Sequence, residues 1–458
     1  MNKIIQQICI NFIEKITEFT SGEGVKTLIE LEERFKEISD NFLTGVIKAY
    51  LEAIDEAVVL DKAGRRERGL VVERRDEERT IFTRFGEVNF KRVYYWDKKQ
   101  EEYIHPVDKV AGLESYERVS LSVAADMVNH AAEVSYGQSS RHVTGGEISR
   151  QTVMNKIRKM HGLELERAKQ KRSVKVLHIT ADEDHVALQD GSNTCVPLIT
   201  IYEGVRWVGK NRYECINPWH FSAYGSSIEE LWLEVSHWIY DTYDEKVWER
   251  IYIHGDGASW IKVGLQYLPK SVHVLDKYHE NTALMTATGA QPDLREALRS
   301  ALKNAERNKF CQLVKELLSK AGTYAEKERI TEYKKYILNN WDGIEIKKHE
   351  NCGGCCAEGQ VSHVLSARLS SRPMGWCREG LYFMSRLRAY WVNGGHVRPE
   401  HLRKDEKLEQ YLKKAIKRAK KAFMGIDPDE LGNIFVLKMG KVTPVFRILR
   451  GIQHGGLV

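Results

Sequence analysis

Residues 176–189, VLHITADEDHVALQ, place a short apolar run directly before a cluster of acids. The apolar residues of this run give it the composition of a buried strand. Asp182 and Asp184 follow it on one strand face, and burying two carboxylates is costly unless positive charge is paired with them. A divalent metal ion shared with other carboxylates is the usual solution.

Two further acids occupy comparable places in the chain. Residues 249–257 form a second apolar strand that ends in Asp256. Glu358 opens a later helix, where the helix dipole favours negative charge. We therefore expect Asp182, Asp256 and Glu358 to meet and hold metal. Asp184 stays open as an alternative first acid or as an outer residue.

Length and composition exclude some classes of protein. A chain of 458 residues with 42% hydrophobic and 29% charged residues is typical of a soluble protein of two or three domains. No stretch approaches the roughly 18 apolar residues of a membrane span. Asn11, Glu14 and Lys15 interrupt any signal-peptide core, so we expect the protein to stay in the cytoplasm. Its eight cysteines should then be reduced thiols.

The N-terminal part predicts helices followed by a hairpin. Helical periodicity fills residues 1–79, and the charged run 65–79 favours a solvated helix or linker face over a phosphate-binding patch, because acids and bases alternate there. Residues 80–96 are aromatic and β-branched around a glycine, the pattern of a β-hairpin. Its basic residues can lie along DNA or be ordinary exposed strand positions: Arg84, Lys91 and Arg92.

Residues 117–160 indicate a helix-turn-helix. A helix, the glycine turn 145–146 and a second helix capped by Ser149 follow in order. Such a helix can enter the major groove and offer polar side chains to base edges, although an ordinary helical hairpin has the same pattern. The predicted DNA-contacting residues, with two from a later helix, are Arg150, Gln151, Asn155, Lys156, Arg158, Arg368 and Arg372.

The remainder predicts an α/β fold with an all-helical insertion, preceded by the mostly helical DNA-binding region. Sequential strands and then strand–helix alternation indicate a sheet with antiparallel and parallel parts. Residues 413–421 form a strongly basic helix, either a phosphate contact or a solvated terminal helix. The predicted segments are 1–79 (helical), 80–170 (hairpin and helix-turn-helix), 171–284 (core, first part), 285–345 (insertion), 346–400 (core, second part) and 401–458 (basic tail).

Residues 358–376, EGQVSHVLSARLSSRPMGW, resemble the end of bacterial insertion-sequence transposases of the ISLre type, a group also catalogued as an uncharacterised protein family (UPF). Residues 181–186, 254–257 and 275–279 are similar to the same group. The resemblance implies a DDE transposase with an RNase H-like core and a helical insertion, as in Mutator-type relatives. Asp276 and His279 match an Asp-or-Cys, then His, pattern beyond the second acid of that wider group.

The resemblance gives the acids a chemical role. Two Mg²⁺ ions about 3.5–4 Å apart can activate water or a DNA 3′-hydroxyl and stabilise the leaving oxygen. We assign Asp182, Asp256 and Glu358 as catalytic residues and metal ligands, with Asp182 bridging and Mn²⁺ as a substitute for Mg²⁺. Asp276 and His279, like Asp184, are possible outer residues, and His279 can equally pack a helix. The expected partners are double-stranded DNA (element ends and target) and further copies of the chain, without a membrane.

Other functions stay open. A non-catalytic or domesticated DNA-binding protein would keep only the helix-turn-helix, and an RNase H-like nuclease would cut DNA without joining it. A zinc site is a third possibility, because three cysteines lie near His363 and Cys377: Cys352, Cys355 and Cys356. Their irregular spacing favours free or buried thiols instead.

Overall fold

The structure, a computed structural model, describes residues 2–403 apart from residues 23, 25, 166–169, 210–211 and 354. The described residues divide into two compact units, 2–127 with 140–149 and 398–403, and 128–139 with 150–397. The basic helix expected at 413–421 lies outside the described residues. In the part that is described, no helix is both long and apolar enough to cross a bilayer.

The first unit joins long helices to a small antiparallel sheet. Its helices are α1 (Asn2–Ser21), α2 (Leu28–Leu60), α3 (Lys62–Arg68) and α4 (Pro106–Ala111), and its strands are β1 (Leu70–Thr83), β2 (Gly86–Asp97) and β3 (Glu102–Ile104), in the order β1-β2-β3. Thr27 and Glu30 form a reciprocal capping box that starts α2. Ile54 of α2 and Phe90 of β2 are fully buried in the core between helix and sheet.

The charged run 73–79 belongs to β1, which corrects the helix or linker expected there. The run pairs with β2, where Glu77 lies opposite Arg92 and Glu78 opposite Lys91. The buried guanidinium of Arg79 lies 2.6 Å from Asp108 Oδ2 and also donates to the carbonyls of Glu114 and Glu117. Contacts with distant residues thus override the local charge pattern, which carries no sign of them.

The basic hairpin residues differ in their surroundings. Arg84 forms a two-pronged ion pair with Asp126, with both N–O distances 2.7 Å. Arg92 is largely buried beside Asp108. Lys91 is exposed. An Arg held by a carboxylate has fewer donors left for phosphate, so this hairpin offers less basic surface than its sequence indicates.

The second unit is built on a mixed sheet, so the predicted combination of antiparallel and parallel strands is confirmed. Its strands are β4 (Val176–Ala187), β5 (Asn193–Tyr202), β8 (Trp219–Phe221), β9 (Arg250–Gly255) and β10 (Ser271–Leu275), with β6 (Val205–Gly209) and β7 (Arg212–Cys215) as a separate hairpin. The order is β10-β9-β4-β5-β8. Neighbours β4–β5 and β5–β8 are antiparallel, whereas β4–β9 and β9–β10 are parallel.

One helix covers a face of this sheet and makes the crossover to β9. Helix α8 (Ile228–Thr242) starts at a capping box between Ser227 and Glu230. Its fully buried Trp232 and Ile239 pack on the apolar side chains of β4 and β9. The crossover makes β9 parallel to β4, so that both strands run towards the same edge of the sheet.

The remaining elements of this unit are helical. They are α5 (Leu121–Ala131) and α6 (Tyr136–Thr144), which both cross a unit boundary, then α7 (Arg150–Arg158), α9 (Ser259–Lys262), α10 (Gly264–Tyr267), α11 (Lys277–Thr288), α12 (Pro292–Lys303), α13 (Arg307–Lys320), α14 (Tyr324–Asn339), α15 (Trp341–His349), α16 (Ala357–Val361), α17 (Ala367–Leu369) and α18 (Arg378–Val392). Helices α11–α15 enclose a core of their own around Leu298, Phe310, Val314 and Ile337. The helical run after β10 thus starts at Lys277, before the position 285 expected from the sequence.

Candidate active site

Asp182 and Asp256 lie at the same level on two neighbouring parallel strands. The register of β4 and β9 pairs Thr180 with His254. Asp182 is two residues beyond Thr180, and Asp256 is two residues beyond His254. The two carboxylates therefore arise side by side, Asp182 within β4 and Asp256 just beyond the carboxyl end of β9.

Asp276 extends this pair to a third strand. Leu275, the last residue of β10, pairs with Gly255, and the Asp276 amide donates to the Gly255 carbonyl over 2.9 Å. Asp276 thus follows its strand at the level at which Asp256 follows β9. We call Asp182, Asp256 and Asp276 the aspartate row. From the sequence we predicted an outer position for Asp276, whereas the strand topology places it in line with Asp182 and Asp256.

His279 faces this row from the first turn of α11. Its Nδ1 lies 3.0 Å from Asp276 Oδ2. That hydrogen bond raises the pKa of His279, and the nearby carboxylates of Asp182 and Asp256 act in the same direction. Burial acts to raise the pKa of Asp276, but hydrogen bonds from His279 and Cys355 outweigh it and lower that pKa. His279 and Asp276 are therefore held as an ion pair.

The surroundings of Asp182 disfavour the negatively charged form of its carboxyl group. Burial raises its pKa, and the Asp256 and Asp276 carboxylates raise it further. The Glu183 amide, 2.9 Å from Asp182 Oδ1, and the His279 imidazole offset part of this effect. Three carboxylates thus share one cationic side chain, a balance that an added cation would improve.

Asp184 is engaged elsewhere on the same strand face. Its Oδ1 accepts hydrogen bonds from the Ser366 hydroxyl at 2.9 Å and the Ser370 hydroxyl at 2.8 Å. Its carboxylate is buried, and burial raises its pKa in spite of these bonds. Of the two candidate first acids, Asp182 is the one whose charge acts together with Asp256, whereas Asp184 connects β4 to the helical segment after Glu358.

Glu358 lies in the first turn of α16, and its side chain is exposed. Helix α16 packs against β4 and β5. A π-helical turn, Ser362–Ser366, follows it and carries Ser366 to Asp184. The structure therefore brings the Glu358 helix to the strand of Asp182. Among the described residues, however, the predicted ligand carboxylates do not form a group with all donor atoms within 4.8 Å.

The cysteines of the possible zinc site have different hydrogen-bond partners. Cys352 donates to the backbone carbonyls of Ile346 and Glu350. Cys355 bonds to Asp276, and Cys356 accepts from Cys215, which lowers the pKa of Cys356. Cys377 caps α18. Within the described part of the chain these thiols form no cluster with metal-ligand spacing.

The predicted DNA contacts divide into exposed and enclosed side chains. Arg150, Gln151, Asn155 and Arg372 are exposed. Lys156 is only 4% exposed, and Arg158 bonds to Cys377 and pairs with Glu379. The amphipathic period of α7 had not separated these two from the outward positions, because α7 packs against α18 on that side.

Arg368 is also enclosed, contrary to the expected DNA contact. It is 5% exposed, donates to the Ala131 carbonyl at 2.9 Å, and its guanidinium stacks over the rings of Tyr136 and Trp376. Burial lowers its pKa to about 10. Tyr136 and Ala131 lie more than 200 residues away in sequence and are invisible in a local pattern, so the sequence could not separate Arg368 from the exposed Arg372.

Sequence reasoning also missed residues that bond to these acids. Ser366 and Ser370 bond to Asp184 of β4, and Cys355 bonds to Asp276, which follows β10. One sequence signal was present for the two serines: they are four positions apart, which places both on one face of a helix. This spacing becomes informative only once β4 is known to lie beside that face.

The chain matches the model of an uncharacterised protein family, UPF0236, over residues 22–406. A UPF0236 protein of Caldanaerobacter subterraneus subsp. tengcongensis is 39% identical to it, over 99% of this chain and 98% of the relative. Another from that bacterium, whose name joins eleven locus designations, is 38% identical over 99% and 98%. A UPF0236 protein of Streptococcus gallolyticus, named for the vanSb 3′ region, is 26% identical over 81% and 84%. The chain therefore belongs to the UPF0236 family.

Proposed function

We propose that this protein is a DDE transposase that cleaves DNA strands and transfers them, using Asp182, Asp256 and Glu358. The observation that carries the proposal is that Asp182 of β4 and Asp256, which directly follows β9, lie side by side at the level of the carboxyl edge of β9 and β10. Open α/β sheets bind their ligands at this edge. Glu358 follows on a helix packed against the strand of Asp182.

The sheet supports an RNase H-like core. Its first three strands form an antiparallel meander, and the next two join beside the first strand in parallel, which gives the order 3-2-1-4-5 of that fold. The helices α11–α15 stand between the second and third proposed acids. This is the place for a helical insertion that the resemblance to Mutator-type enzymes implies.

The donor set fits Mg²⁺. The oxygens of Asp182 and Asp256 are hard ligands of the kind that this ion prefers. Burial first, and then the neighbouring carboxylates, raise the pKa of Asp182, and a bound cation would offset both effects. We propose that Asp182 and Asp256 hold the ions, with Glu358 completing the set. Bound there, Mg²⁺ would polarise a phosphodiester and lower the pKa of an attacking hydroxyl.

The protein's own residues have distinct roles in this proposal. Asp276 and His279 form an ion pair at the end of the row, which positions the imidazole beside Asp182 without neutralising it completely. Asp184 fixes the segment after Glu358 through its two serines. The exposed Arg150 and Arg372 supply positive charge for the phosphate backbone.

The relatives add support of a different kind. One protein name that joins eleven locus designations in a single bacterium indicates that the same coding sequence is present many times. Self-copying DNA has this distribution, whereas a metabolic enzyme has little reason for it. The property belongs to the relative, and we extend it to this chain as part of the proposal.

The experiment is strand transfer in vitro with the full chain, the DNA ends that flank its gene, a target plasmid and Mg²⁺ or Mn²⁺. Asp182→Asn, Asp256→Asn and Glu358→Gln should each abolish cleavage and joining while DNA binding persists. Glu249→Gln is the matched control, because Glu249 precedes β9 at the end opposite Asp256 and pairs only with exposed Lys175. Such a surface pair contributes little.

The other outcomes separate the alternatives. Cleavage without joining, lost in the three acid variants, would identify a nuclease. Binding of the ends without metal-dependent cleavage would identify a DNA-binding protein. Loss of activity in Asp184→Asn with full activity in Asp182→Asn would show that the first acid is Asp184.

A further inference from the structure

A second group of possible metal ligands lies on the other face of β4. Glu183 and His185 are two residues apart on this strand, so they point to the same side, opposite to Asp182 and Asp184. The register pairs His185 with Cys195 of the antiparallel strand β5. One donor atom from each of Glu183, His185 and Cys195 lies within 4.8 Å of the other two.

The spacing of these donors suits one tetrahedral ion. Cys195 Sγ lies 3.3 Å from His185 Nδ1. Zinc binds sulfur at about 2.3 Å and imidazole nitrogen at about 2.0–2.1 Å, so two ligands of one tetrahedral ion stand about 3.5 Å apart. The separation in the structure is close to that value. Three protein ligands would leave a fourth position for water.

The donor types indicate which cation the site would take. A thiolate and an imidazole select zinc and related transition metals, whereas Mg²⁺ prefers oxygen alone. Without a metal, burial and the hydrogen bond with Glu183 raise the pKa of Cys195 to about 11. The thiol is then protonated at neutral pH and has to lose its proton on binding.

We propose that Glu183, His185 and Cys195 form a zinc site distinct from the aspartate row. The side chains of His185 and Cys195 are exposed, so an ion in solution can reach them. A bound ion would link β4 to β5 beyond the helix-covered part of the sheet. It would therefore fix the register of the strand that carries Asp182.

Cobalt(II) is the probe, because a cobalt–thiolate bond has a charge-transfer absorption that carboxylate sites lack. The full chain would be stripped with EDTA and titrated with Co²⁺. We expect one equivalent to produce the thiolate band, Zn²⁺ to remove it, and excess Mg²⁺ to leave it unchanged. Zn²⁺ should also raise the thermal midpoint of the apoprotein.

Two variants and two controls locate the ion. Cys195→Ser should lose the band and the thermal shift, and His185→Gln should weaken Zn²⁺ binding by more than the 10–100-fold that losing an outer-shell partner costs. Cys311→Ser, in α13, and Asp182→Asn, on the opposite face of β4, should bind as the wild type does. His185→Gln keeps the test decisive if Cys195→Ser does not fold.

The proposal is overturned if no thiolate band forms with the wild type. It is equally overturned if the band persists in Cys195→Ser and disappears in Cys356→Ser, because another thiol would then be the ligand. None of these measurements depends on transposition, so failure of the zinc site and failure of the catalytic proposal are separate results.

Discussion

Ser366 donates its hydroxyl to Asp184 over 2.9 Å, across 182 residues of sequence. The contact joins the strand of Asp182 to the π-helical turn that follows the Glu358 helix. Ser370 donates to the same oxygen, Asp184 Oδ1. Two donors that share one acceptor are expected to substitute partly for each other.

Removal of both serines should therefore cost more than the sum of the single changes. Ser366→Ala or Ser370→Ala leaves Asp184 one hydroxyl, but the double variant leaves a buried carboxylate without either. A hydrogen bond to a charged group contributes about 1.5–3 kcal/mol, so we expect the double variant to lose at least about 3 kcal/mol. Urea unfolding measures this. Ser371→Ala is the control, since its exposed hydroxyl bonds only to the Ala367 carbonyl. Additive losses would contradict the shared acceptor.

Gly255 lets β4 and β9 approach beside Asp256. A Cβ at this position would lie 2.6 Å from Ile261 Cδ1 and 2.9 Å from the Ala181 carbonyl oxygen. We expect Gly255→Ala to destabilise the protein by about 1–3 kcal/mol through overpacking, and to lower any Asp256-dependent activity. At Gly359 a Cβ meets nothing within 4 Å. Gly359→Ala should thus be neutral or stabilising by about 0.5–1 kcal/mol. Thermal unfolding of both variants checks the contrast, and equal losses would contradict it.

Arg368 and Arg372 provide a matched pair on one short segment. Arg368→Ala should cost about 3 kcal/mol, because it removes a desolvated cation–π contact and leaves the buried Ala131 carbonyl unpaired. Arg372→Ala should change stability by less than about 0.5 kcal/mol. If Arg372 contacts phosphate, the Arg372→Ala substitution should reduce the slope of log affinity against log salt concentration by about 1. Unfolding and DNA-binding titrations at several salt concentrations test the pair, and the opposite distribution of effects would refute it.

His220 should make the protein lose stability in acid. Burial, with Arg388 nearby, lowers its pKa from 6.5 to about 4, and its Nδ1 lies 2.9 Å from Thr200 Oγ1. Between these two pH values the unfolded chain binds the proton and the folded chain does not, so stability falls as the pH falls. The loss approaches about 3 kcal/mol, from 1.36 kcal/mol per pKa unit.

Urea unfolding at a series of pH values, with wild type and His220→Asn, measures this effect. The stability of the wild type relative to the variant should fall with pH over that window. His237→Asn, which alters an exposed histidine of α8, should show no such change. A pH-independent difference for His220→Asn would exclude the mechanism.

Local pattern was sufficient for part of the fold. The largely apolar runs at 176–181 and 250–255 become strands of the main sheet because a strand buried on both faces is mostly apolar. The helical period after β10 becomes the five-helix core for a similar local reason. The same strands identified Asp182 and Asp256, since each acid directly follows or ends such a run.

Other features depended on contacts between distant residues. The charged run 73–79 is a strand because it pairs with β2, and Asp276 joined the row because β10 lies beside β9. His185 and Cys195 meet only through the register of a hairpin. The sequence by itself thus determined which segments are buried and which acids end them, because burial follows from composition. Only the tertiary structure decided which charges face one another, since the pairing energy of two distant side chains leaves no trace in either one's neighbours.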